Sequence, residues 1–305
     1  MTLPPIAANP PLVIAAPPRL AFPAMLAGSM ALAFGPWLVR LADVAPAASA
    51  FWRMAIAIVP LLILARLVAG STARLTHNLD RRAIALAALA GVFFAADLVL
   101  WHFGIVRTTL ANSTLLSNAA SFLLPLWGFV ILRQRPGRKA LAAIGLALAG
   151  TLLLVGASAS VSQAHVIGDL LCLGAALLYT AYLLTIDRVR DTVAALPLLV
   201  LSTVAAALAL FPLAVTSGAF WPGDWTPLLL LALGSQVIGQ GLVVYAVGHL
   251  TPLVIGLTLL VQPAISATIG ALRFGETPGP AEITGALLVV AALVLVRLPE
   301  TRAVE

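Results

Sequence analysis

Charge is what this chain has least of. Only 9% of its 305 residues are Asp, Glu, Lys or Arg, and 62% are hydrophobic. A soluble domain carries about 25% charged residues, so a water-facing surface is excluded for most of this chain and lipid is its expected solvent. Cysteine is nearly absent. Cys172 stands alone within an apolar run, which rules out an intrachain disulfide and reads as a small buried hydrophobe. Enzyme signatures are missing too. There is no phosphate loop, no paired-Cys or HExxH metal motif and no defensible Ser-His-Asp spacing. Catalysis, a cofactor, a bound metal and ATP drive are therefore not expected. The net charge of +6 is scattered over short segments. It forms no patch for nucleic acid.

What is present is a series of long apolar runs. A chain in lipid must satisfy its own backbone hydrogen bonds, which leaves helices or closed barrels. Barrel strands alternate apolar and polar residues, whereas these runs are continuously apolar and rich in Leu and Ala. Each is close to the ~20 residues that span a ~30 Å hydrocarbon core as a helix. The expected fold is an all-α integral membrane protein with ten transmembrane helices, at about 21–41, 46–68, 83–103, 109–132, 139–156, 167–186, 195–215, 227–248, 252–273 and 280–298. Residues 1–20 are proline-rich with no uninterrupted apolar stretch. They read as a disordered tail, and residues 299–305 as a second one.

Positive charge alternates across the gaps. With the N-terminus inside, the inner segments hold Arg19, Arg66, Arg74, Arg81, Arg82, Arg133, Arg135, Arg138, Lys139, Arg188, Arg190, Arg297 and Arg302. The outer loops hold only Arg40, Arg107 and Arg273. This bias places both termini in the cytoplasm, with a bacterial inner membrane as the expected location. The halves also match one another. Trp101-His-Phe-Gly104 leads to Pro136-Gly, as Tyr245-Ala-Val-Gly248 leads to Pro278-Gly, and the Gly-to-Pro spacings are 32 and 30. Five helices per half is an odd number, so the second half enters the membrane from the opposite side. An inverted repeat of this kind, 21–156 against 157–298, is the symmetry many secondary transporters use for alternating access.

Three local features carry a family resemblance. They are Phe34-Gly35-Pro36-Trp37 in the first helix, Ser49-Ala-Phe-Trp-Arg53 at the start of the second, and Gln262-Pro263 with Arg273-Phe-Gly275-Glu276 and Gly285-Ala-Leu-Leu at the end. In this order across the chain they resemble EamA-type exporters of the drug/metabolite transporter superfamily, with the nearest look to YddG-type exporters of aromatic and neutral amino acids. The resemblance implies a small-molecule exporter. The first repeat departs from the pattern, ending its fourth span in Arg133-Gln134-Arg135.

Polar residues within the spans are the candidate site, because a polar group in lipid is costly. Asp97 and Trp101 are four apart on one helical face, with His102 at its edge. Asp97 and His102, with Arg53, are candidates for charge or proton handling; the alternative is an Asp97–Arg53 pair that holds the bundle, with Arg53 snorkelling. Trp101 and Tyr245 occupy matching repeat positions and wall a cavity or belong to an interfacial belt. Tyr179 and Tyr182 share a face. Gln236 and Gln240 share another, and Asn112 and Asn118 make a polar stripe. Trp37 follows Pro36, while Pro125 and Pro263 interrupt the paired fourth and ninth helices. With Gln262, the inward amides can recognise an amino acid or simply bond helix to helix. Gly145 and Gly285 allow close packing of each repeat's last helix.

The expected protein is a secondary transporter that exports small metabolites, amino acids first, through a central cavity. It is a monomer or homodimer in the lipid bilayer. The alternatives are a multidrug or nucleobase exporter, or a non-transporting membrane partner or intramembrane enzyme.

Overall fold

The structure, a computed structural model, describes residues 19–69, 79–107, 110–131, 133, 137–156, 163–274 and 280–297. The N-terminal tail to residue 18, the C-terminal tail and Glu276 lie outside them. The described residues form helices and short connections, with no strand among them. In chain order the helices are α1 (Ala21–Leu32), α2 (Gly35–Leu41), α3 (Pro46–Ala69), α4 (Arg81–Ile105), α5 (Leu110–Ser117), α6 (Ala120–Val130) and α7 (Arg138–Gly156). Then come α8 (Gln163–Arg190), α9 (Ala195–Thr216), α10 (Thr226–Val247), α11 (Pro252–Leu259), α12 (Val261–Phe274) and α13 (Pro280–Arg297). Among the described residues, six segments are long and apolar enough to cross a membrane alone: α1 with α2, then α3, α4, α8, α9 and α10. The other passes are α5 with α6, α7, α11 with α12, and α13.

The packing repeats itself between the halves. Helix α4 lies against α8, and its counterpart α10 lies against α1. Helix α4 touches α9 as α10 touches α3; α6 touches α11 as α12 touches α5. The self-related pairs α3–α9 and α7–α13 complete the set. A two-fold relation between repeats demands this list, because exchanging the halves maps each contact onto another.

Three passes are broken, and proline explains two of them. A proline cannot donate to the carbonyl four residues back, and its ring crowds that carbonyl. Pro36 thus ends α1 at Leu32, and Pro263 ends α11 at Leu259. Pro125 does not act in this way. It sits inside α6, and the break lies seven residues earlier, at Asn118–Ala119. There Ser117 Oγ bonds the Ser113 and Thr114 carbonyls at 2.7 and 3.2 Å, and Asn118 Nδ2 bonds the Thr114 carbonyl at 2.7 Å. Side chains that bond back onto the helix compete with its ladder. The expected interruption at Pro125 is corrected accordingly. Its freed Ser121 carbonyl instead meets α11, where a Cβ on Gly256 would stand 2.4 Å from that oxygen.

Two arginines tie helix ends in matching places. Arg40, ending α2, donates to the Ile105 carbonyl at the end of α4 at 3.2 Å. Arg190, ending α8, donates to the Val244 and Tyr245 carbonyls in the last turn of α10 at 3.1 and 3.5 Å, and to Val193 at 2.7 Å. Cations at helix C-termini satisfy orphan carbonyls and complement the dipole. His249 Nε2 lies 3.5 Å from Arg190. Burial, and then the Arg190 charge, hold the His249 imidazole below its ordinary range. A depressed histidine contributes stability above its unfolded pKa, near 6.5, and loses it as pH falls. Acidification below about pH 6 should therefore loosen this end of α10. Hydrogen exchange at Val247–His249, corrected for intrinsic rate, should rise there, and His249→Ala should flatten that pH dependence.

Candidate functional site

The three breaks open onto one cavity. Leu32 stands at the first, Ser117 and Asn118 at the second, and Gln262 two residues beyond the third. Irregular backbone at membrane depth is tolerated where it lines a cavity. Helix α4 forms the long wall with Phe94, Asp97, Leu98 and Trp101. These lie at spacings of three and four, hence on one face. Arg53 enters from α3, Tyr179 from α8 and Gln240 from α10.

The charges here are few and buried. Asp97 is 7% exposed and Arg53 3%. They face the same cavity and feel one another electrostatically. The Arg53 guanidinium also lies 5.7 Å from the Phe94 ring centre and 5.9 Å from that of Trp101, a cation–π arrangement that desolvation strengthens. Phe94 stacks on Tyr182 at 4.6 Å, and Tyr182 on Tyr179 at 5.8 Å. Tyr179 Oη lies 3.5 Å from Gln240 Oε1. An aromatic sheet therefore backs one arginine and one carboxylate.

Several donors at the cavity lack a protein partner: Arg53 Nε, Trp101 Nε1 and Gln240 Nε2. A buried donor left unpaired costs about 1–3 kcal/mol, so a bound acceptor is strongly favoured. The open room is about 60 Å³, space for only a few waters at ~15 Å³ each. A metabolite site needs ~300 Å³ or more. The helices must part before a solute fits.

Of the residues singled out in the sequence, Arg53, Asp97, Trp101, Asn118, Tyr179, Gln240 and Gln262 line this cavity. The others whose side chains are described lie elsewhere. His102 is fully buried beside Trp101, ring to ring at 5.3 Å, with the Pro46 backbone against its ring. Tyr182 supports the aromatic sheet from behind. Tyr245 packs against His249 at 5.4 Å, near Arg190. Trp37, in the first turn of α2, packs with Leu38 and Ile105, and the Arg273 guanidinium covers its ring at 5.2 Å. Gln236 donates to Thr203 of α9 at 3.0 Å. The Asn112 side chain lies outside the described residues.

Gln236 and Gln240 both lie in the π-helical stretch Leu231–Gln240 and meet different neighbours, Thr203 of α9 and Tyr179 of α8. Leu32, Phe94 and Leu98 were missed in the sequence. Phe94 was within reach, three residues before Asp97 on the same face.

The chain matches the EamA-like transporter family twice, over residues 19–156 and 166–298. It belongs to that family. The paired matches fall on the two halves whose packing repeats. Among curated proteins none matches. A solved crystal structure, described only as that of a protein, is similar with TM-score 0.73 and 17% identity, covering 91% of this chain and 96% of that one. At that identity the likeness speaks to the fold alone. This EamA-like transporter therefore has the family's membrane two-repeat architecture, and its cavity lies among the broken passes.

Proposed function

We propose that the chain exports small metabolites, amino acids first, by alternating access of its two repeats around the cavity. The observation that carries this is one carboxylate and one guanidinium facing a single cavity, with unpartnered donors beside them. An amino acid offers the complement. Its ammonium suits Asp97, and its carboxylate suits Arg53 and the Trp101 and Gln240 donors. The Phe94, Tyr179 and Trp101 rings favour an aromatic or large apolar side chain. A planar cation would suit Asp97 and the rings, but Arg53 in the same small space repels it. Multidrug export is thereby the weaker reading.

The small cavity fits an alternating-access cycle, in which a closed form separates the two open ones. The arginine bias supports cytoplasmic termini, with a bacterial inner membrane as the bilayer of this reading. Partners are the solute and the lipid; the chain works as a monomer or homodimer.

The test is flux into proteoliposomes of the purified protein. Radiolabelled Phe and Thr should enter saturably, with Phe preferred, while methyl viologen should not. Flux of the cation alone would move the protein to drug export. A response to an imposed proton gradient would identify the coupling ion.

A further inference from the structure

A second cavity, of about 430 Å³, lies at the end of α2 and α4, walled by Arg40, Pro46, Ser49, Ile105 and Val106. It shares helix α3 with the central cavity. Ser49 faces the second cavity and Arg53 the first. They are four residues apart on one helical face, about 6 Å along the axis. Between the two lies His102 of α4, its ring against the Pro46 backbone and within electrostatic reach of Arg53.

Three of these residues share an anomaly. Among the described residues, Ser49 Oγ and Arg53 Nε are buried without a hydrogen-bond partner, and the His102 ring has the Pro46 carbonyl for one nitrogen and nothing for the other. Ser49 is 1% exposed and His102 0%. One such group is a defect; three in a row, joining two cavities, make a polar seam through an otherwise apolar packing. Buried polar groups are normally satisfied, so the seam is built for something that passes or binds there.

Its charge says what. Arg40 stands at one end and Arg53 at the other. Ser49 and His102 can both donate. Asp97 sits on the central-cavity side of Arg53, and Asp43, in the loop beside the vestibule, accepts from the Gly223 and Asp224 amides. A cation or proton would have to pass two guanidinium groups. An anion finds donors at each step.

We infer that Ser49, His102 and Arg53 form a carboxylate lane, along which the acidic group of the solute moves between the central cavity and the Arg40 vestibule. The lane rests on the transporter reading, since it presupposes a carboxylate-bearing solute. It assigns Ser49 and His102 as positioning residues. Arg53 holds the carboxylate in the cavity, Ser49 and His102 take it over, and Arg40 receives it at the mouth.

The experiment uses thiol chemistry and needs no transport substrate. In a Cys172→Ser background, Ser49→Cys places a thiol at the vestibule end of the lane and His102→Cys places one deeper. The protein in liposomes is treated with an anionic or a cationic methanethiosulfonate reagent, each rate normalised to a free thiol. Clefts lined by one sign of charge raise counter-ion concentration by about tenfold or more. The anionic reagent should therefore react about tenfold faster at position 49 and also reach position 102. Adding Arg53→Gln should bring the two rates together. Faster reaction with the cation would overturn the lane in favour of a cation path. Equal rates, or no reaction at either position in folded protein, would overturn it outright. Should Ser49→Cys react as expected while no amino acid enters the liposomes, the lane stands and the amino-acid reading fails.

Discussion

Arg53→Gln should nearly abolish amino-acid flux. The guanidinium is almost wholly buried and faces the cavity that holds Asp97. Removing one member of a buried charge set leaves the other uncompensated, which costs about 3–5 kcal/mol. If that cost falls on solute binding, affinity drops by roughly 10²–10³ at ~1.4 kcal/mol per tenfold. The same change can act through stability alone, and the double variant separates the two. Arg53→Gln with Asp97→Asn removes both charges and should melt closer to the wild type than either single variant, since nothing is left unpaired. If the double variant folds well but does not transport, the two charges serve the solute. Recovery of flux in the double variant would make them a structural pair, and the amino-acid reading would lose its main support.

The next largest effect is expected at Gly256. Its absent side chain is what lets α11 cross α6. A Cβ there would stand 2.4 Å from the Ser121 carbonyl oxygen and 2.9 Å from Pro125 Cδ. Both are stiff, one being backbone and the other a ring. Gly256→Val must push the two helices apart, at about 1–3 kcal/mol for an overpacked core. The crossing lies between two broken passes that both border the cavity, so flux should fall with stability. Gly145→Val is the control. Among the described residues nothing stands within 4 Å of a Cβ at that position, so its melting temperature should match the wild type. This position was expected to mark a close helix contact; its small size serves no such contact among the described residues. Equal melting of the two variants would show that the crossing tolerates displacement.

The two positions carry a lesson about legibility. Both are glycines in apolar helices, and sequence offers no way to tell them apart. The one that matters is defined by a carbonyl 135 positions away in the chain, exposed because Pro125 supplies no N–H to it.

Sequence by itself determined a good deal. Scarce charge and continuous apolar runs dictated membrane helices, because lipid leaves the backbone no other partner. Span number and repeat followed from spacing. Pro36 and Pro263 marked two breaks, since a missing N–H acts on a fixed carbonyl four residues back. Asp97 and Trp101 came out on one face because α4 is regular, and a regular helix converts spacing into direction. The tertiary structure decided what spacing does not encode. It brought Arg53 of α3 to Asp97 of α4, turned Gln240 inward and Gln236 toward Thr203, and moved the fourth-pass break from Pro125 to Asn118. Side-chain bonds onto the backbone set the last of these. Tyr245 matches Trp101 in the repeat, yet it packs at a helix end by His249. Repeat symmetry fixes where a backbone goes. Which side chains meet depends on the neighbours each copy packs against, and those differ residue by residue between the two halves.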